Sequence, residues 1–111
     1  MAIEARVLFR SQAGRVLLLQ RADSDAWDLP AAVVRDGEDA EVAALRGALE
    51  ATGYRAGYVH GMHCRTLVGG RVTAVYLRAV EDEFAPRLSQ GFVSFMWADP
   101  AKVLERKARR A

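Results

Sequence analysis

Residues 27–54 read WDLPAAVVRDGEDAEVAALRGALEATGY, and the hydrophobic period changes partway along them. Leu29-Pro30 and Ala31 to Val34 predict short extended pieces on either side of a proline that cannot sit inside a helix. Asp36-Gly37 predicts a turn. From Glu38 to Thr52 the apolar residues Val42, Leu45 and Leu49 recur at spacings of three and four, with Ala48 beside them. That pattern predicts a helix with one apolar face. Gly53 falls where a helix C-terminus favours a residue tolerant of positive φ.

Outward from this stretch the period is that of strands. Ile3 to Arg10 and Arg15 to Arg21 carry the apolar runs Val7-Leu8-Phe9 and Val16 to Leu19, suited to a sheet buried on both faces. Ser11-Gln12-Ala13-Gly14 has hairpin chemistry, so the two strands are expected to be antiparallel. Arg21 to Asp28 predicts a polar loop. After the helix, Tyr54 to Leu67 and Arg71 to Val80 predict strands joined by Val68-Gly69-Gly70. Glu81 to Gln90 predicts a loop, and Gly91 to Ala98, with Phe92, Phe95 and Trp97, a last strand. Asp99-Pro100 is an N-cap followed by a first-turn proline, opening a terminal helix around Val103 and Leu104. The sum is an α+β fold: a mixed sheet with one central and one C-terminal helix.

Composition agrees with one globular domain over residues 1–111. Apolar residues make up 51% of the chain and charged ones 27%, which excludes the disordered and fibrous classes. A chain of this length buries roughly two-thirds of the surface it exposes when unfolded. Cys64 is the only cysteine, which suits a reducing compartment. Met1-Ala2-Ile3-Glu4 lacks the pattern of a signal peptide, and no run approaches a membrane span, so a cytoplasmic location is expected with no membrane partner. The net charge of +2 conceals an asymmetry: residues 1–101 hold 11 Lys/Arg against 13 Asp/Glu, while residues 102–111 hold five bases against Glu105. Cations at the end of a helix suit its dipole. The tail has no interleaved aromatic residues, so nucleic acid is not the expected partner.

The stretch from Trp27 to Tyr54 resembles the Nudix box and its lead-in. That signature is G-x(5)-E-x(7)-R-E-U-x-E-E-x-G-U, with U aliphatic, usually preceded by Trp-x-Leu-Pro-Gly. Laid on this chain, the opening glycine falls on Ala32 and the first glutamate on Glu38. The arginine falls on Arg46 and the glutamate after it on Gly47. The paired glutamates fall on Glu50 and Ala51, the closing glycine on Gly53 and the last position on Tyr54. The spacing has no insertion. Trp97-Ala98-Asp99 followed by a helix is similar to the end of that fold, so the resemblance implies a Nudix-like α/β/α sandwich over nearly the whole chain.

The resemblance also implies a chemistry, cleavage of a pyrophosphate linkage in a nucleoside diphosphate joined to another group. Mg2+ or Mn2+ would neutralise phosphate oxygens and activate the attacking water, held by a few carboxylates on one helix face. Here Gly47 and Ala51 have no side-chain oxygen, and Ala32 stands where a backbone carbonyl would approach the metal. Glu50 and Glu38 are the metal candidates that remain, and Glu50 and Arg46 the catalytic ones; no substrate-binding residue is identified. Glu50 follows Arg46 by four residues, so the two also suit a surface ion pair. Glu38 and Glu41 read as acids of the helix's first turn. Gly47 costs a helix interior about 1 kcal/mol against alanine, which close packing by another segment, or drift after loss of catalysis, would explain. Among the later acids, Glu81, Asp82 and Glu83 precede a strand with none, and are not expected at the site. His60 and His63 fall on opposite faces of a strand, so with Cys64 they do not predict a zinc site.

Two functions stay open on these residues. One is a Nudix-fold protein with a degenerate box, weak or inactive as a pyrophosphohydrolase, kept to bind a nucleotide or a partner and needing no metal. The other is an active metal-dependent hydrolase of nucleoside diphosphate derivatives. A homodimer is compatible with either.

Overall fold

A computed structural model describes residues 3–68 and 70–101 of the chain. Its elements are β1 (Ile3–Ser11), β2 (Val16–Arg21), β3 (Trp27–Asp28), β4 (Ala31–Val33), α1 (Ala40–Thr52), β5 (Gly61–Val68), β6 (Arg71–Val80) and β7 (Phe92–Ala98). The strand order is β3-β2-β1-β6-β5, with β4 added to β1 and β7 to β2. The expected mixed sheet is present: β1 and β6 run parallel from Ile3↔Val72 to Ser11↔Val80, and the other pairings are antiparallel. The β1–β2 hairpin holds only at Arg10↔Val16. Beyond it β1 turns to β4 and β6, and β2 to β3 and β7.

Alternation along β1 sets the core. Ala5, Val7 and Phe9 are fully buried, as are Leu17 and Leu19 of β2, and they join Ala43, Ala44 and Ala48 of α1 in one cluster. The helix therefore does not pack as its hydrophobic period suggested. Its buried residues are Ala43, Ala44, Gly47, Ala48, Ala51 and Thr52, while Val42 is 52% and Leu49 38% exposed. The physical reason is proximity. Where the helix lies closest to the sheet its inner face holds alanines and Gly47, Leu45 packs at the margin of the core, and Val42 and Leu49 turn outward.

Two boundaries differ from expectation. The helix starts at Ala40, with Asp39 extended as its N-cap. Glu38 lies outside the first turn, because Arg35 to Glu38 is closed as a turn by Glu38 N–H donating to Arg35 O at 3.0 Å. The strand expected from Tyr54 begins only at Gly61. Tyr54 packs against the core, half-buried, instead, and Gly57 adopts φ +77°, which an extended strand does not use. At the C-terminal end, Ala101 N–H donates to Asp99 Oδ1 at 3.0 Å, as an N-cap should. The rest of the expected terminal helix and its basic tail lie outside the described residues. Among the described residues no helix is long and apolar enough to cross a membrane.

Candidate active site

Arg46 organises what the box brings together. Its Nε donates to Glu38 Oε2 at 3.1 Å, and its Nη2 to Glu38 Oε1 at 3.0 Å and to Val33 O at 2.9 Å. Glu38 Oε1 also accepts Arg35 N–H at 3.1 Å. These bonds favour the ionised carboxylate: Arg46 first, then the Arg35 amide, hold Glu38 down to about 2. In return the Glu38 carboxylate raises Arg46 above the usual guanidinium value. One side chain thus ties the turn before α1, the end of β4 and the middle of the helix.

Glu50 is placed differently. It lies 3.7 Å from Arg46 Nη1 as an i,i+4 pair, with 62% of its side chain exposed. An exposed pair of this kind stabilises little. Glu50 therefore presents a carboxylate to solvent, whereas Glu38 presents one to Arg46.

The two box positions without oxygen are both covered. A Cβ built on Gly47 would lie 2.7 Å from the carbonyl carbon and 2.8 Å from the oxygen of Ala31, and 2.8 Å from the Ala32 methyl. Carbon atoms do not approach so closely, so β4 sits where a side chain at 47 would begin. Close packing is the reason for the glycine. Ala51 is 5% exposed beneath the loop of residues 81–90. Arg87 N–H donates to Thr52 O at 2.7 Å and Ser89 N–H to Ala51 O at 3.4 Å, so the loop closes the helix end.

The acids of that loop do not add to the set. Glu83 accepts the Ser11 hydroxyl at 2.8 Å and Arg15 Nε at 2.6 Å, and the Arg15 bond lowers its pKa. Among the described residues no three His, Cys, Asp or Glu side chains are grouped to hold a metal. The donor set does not fit the divalent ion that the box chemistry needs: one exposed carboxylate, one engaged by a guanidinium, and two positions without oxygen.

Sequence reasoning missed a second ionic group, on the face of β1 away from α1. Arg6 pairs with Glu4 at 2.6 Å and with Asp28, Arg71 with Glu4 at 3.1 Å, and Arg21 lies 3.9 Å from Asp28. These residues come from four strands, and no spacing in the chain announces them. Two open cavities of about 420 and 400 Å3 are lined by Arg10, Ser11 and Glu81, and by Asp39, Glu41 and Tyr76. Neither includes Glu38, Arg46 or Glu50.

Residues 2–111 match the family model of the NUDIX domain, and the chain belongs to that family. It is 46% identical over 52 residues to a putative 8-oxo-dGTP diphosphatase of Bacillus subtilis, a match covering 47% of this chain and 35% of that protein. The chain thus spans about a third of that relative's length. The fold is similar to the Escherichia coli dihydroneopterin triphosphate pyrophosphohydrolase, with TM-score 0.80 and 20% identity over 92% of this chain and 84% of that one. It is also similar to the NUDIX domain of Shewanella oneidensis NrtR complexed with ADP ribose, with TM-score 0.74 and 20% identity over 93% and 75%. Identities this low speak to the fold alone.

Proposed function

We propose that this chain is a Nudix domain with a degenerate box, which binds a nucleotide-type ligand and hydrolyses it weakly or not at all. The observation that carries this reading is the donor set. Of the two glutamates at signature positions of the box, Glu50 is the one not engaged in strong hydrogen bonds, since Glu38 is bound by Arg46 and Arg35. A single exposed carboxylate is a poor anchor for a divalent ion that must be held against its own hydration. Ligand binding is supported by analogy with the Shewanella domain solved with ADP ribose. A cytoplasmic location and a homodimer belong to the same proposal, the latter open to light scattering.

Calorimetric titration with ADP-ribose, ADP and GTP, each with and without manganese, tests it alongside phosphate release. Binding that does not need the metal, with turnover far below ~1 per second, is the expected result. Turnover at that rate or faster, abolished by Glu50→Gln, would overturn it. The second reading is an active metal-dependent hydrolase of nucleoside diphosphate derivatives. It is favoured by the diphosphatase and pyrophosphohydrolase names of the relatives and by the accessible carboxylate of Glu50. In that reading Glu50 and Glu38 would hold Mg2+ or Mn2+, and Arg46 would have to release Glu38.

A further inference from the structure

Two departures from the Nudix pattern that are far apart in the chain meet in space. The opening glycine of the box is Ala32, and the glutamate after its arginine is Gly47. The Ala32 methyl lies 2.8 Å from where a Gly47 Cβ would stand. Ala31, which follows Trp27-Asp28-Leu29-Pro30 where the lead-in has its glycine, supplies the backbone atoms of the same contact.

We infer that these departures are one exchange: α1 lacks a side chain where β4 brings the Ala32 methyl and the Ala31 backbone. The backbone of β4 fills the volume in which the second box carboxylate would begin. Two separate losses would leave a gap or a solvent-facing glycine, and neither is present, because Gly47 is buried. Nor can β4 step aside. It is paired with β1 at Glu4↔Val33, Ala5↔Ala32 and Arg6↔Ala31. Val7 N–H donates to Pro30 O at 3.0 Å, and Val34 N–H to Ile3 O at 2.8 Å, so bonds flank it on both sides. Ala32 opposes fully buried Ala5, which directs its methyl at the helix. The mismatch with a metal is therefore built into the strand–helix packing and cannot be undone at residue 47 alone.

The test is a mutant cycle read as melting temperature, without nucleotide or metal, so its outcome does not depend on the binding reading. Gly47→Ala should lower Tm by roughly 5–15 °C, the effect of overpacking in a domain of this size. In the background Ala31→Gly/Ala32→Gly, where the Ala32 methyl is gone and only the Ala31 backbone still meets the added carbon, the same change should cost measurably less. An equal loss in both backgrounds overturns the inference, as does a gain in the parent, the normal response of a helical glycine. If Gly47→Ala does not fold, the combined variant must still fold, and its failure also counts against the exchange. Should the glycine strand not fold by itself, Ala32→Gly carries the same comparison.

Discussion

The inner face of α1 and its C-terminal end are closed by opposite means. Along the inner face, alanine methyls and one glycine let the β4 backbone approach to contact distance. At the C-terminal end the packing is aromatic. Tyr54 stacks on Phe84 with centroids 4.2 Å apart, and Phe9 meets both rings edge-on at 5.5 and 5.4 Å. Trp97 meets Phe84 edge-on at 5.4 Å and donates its Nε1–H to Phe84 O at 3.0 Å. The first region is stabilised by short distance and is sensitive to a single added carbon. The second is stabilised by apolar area and is sensitive to its removal. Each region covers one box position that carries an acid elsewhere in the family, Gly47 under β4 and Ala51 under the loop that holds Phe84.

The largest expected effect tests the aromatic end. Phe9→Ala deletes a fully buried ring and should cost about 3–5 kcal/mol in denaturant unfolding. A loss below ~1.5 kcal/mol would mean that Tyr54 and Phe84 close the gap, and that this end is not held by area. Next is the joint between the two regions. Gly53 has φ +72° and donates its N–H to Leu49 O. An added Cβ would lie 3.1 Å from that of Arg87. Gly53→Ala should cost about 1–2 kcal/mol, and no cost would show that the loop yields freely.

A smaller effect separates Glu38 from the rest of the box by pH. Its folded pKa, about 2, lies below the ordinary value of 4.5. Its contribution is thus fully present above about 4.5 and is lost as pH falls toward about 2. Glu38→Gln should be less stable than the parent at neutral pH, and the gap between their urea midpoints should narrow through that window. A gap independent of pH would mean that the charge on Glu38 does not hold the turn. The smallest effect concerns the outward face: Val42→Gln and Leu49→Gln should each change stability by no more than ~0.5 kcal/mol. A loss above ~2 kcal/mol would show that something covers this face.

Legibility in the sequence followed the range of the interactions. The strand periods, the helix, its Gly53 terminus and the Asp99 cap depend on neighbours a few residues apart, and all can be read along the chain. The face that α1 buries could be read only in part. Periodicity marked Val42, Leu45 and Leu49 with Ala48 beside them; Ala48 is buried and Leu45 packs against the core, but separation from the sheet turned Val42 and Leu49 outward and brought in the other alanines and Gly47. Asp36-Gly37 marked the turn that Glu38 closes, but Glu38 read as a helix-turn acid, and local spacing did not announce its bonds to Arg46, eight residues later.

By itself the sequence determined the family, through box spacing that survives without insertion, and the absence of oxygen at residues 47 and 51, which is a matter of composition. Only the tertiary structure decided whether those positions are open or covered. Gly47 lies against a strand pinned on both sides by β1, and Ala51 lies beneath a loop bonded to the helix end. A side-chain pattern states which atoms are missing. Whether their space is open or occupied depends on segments that meet only when the chain is folded.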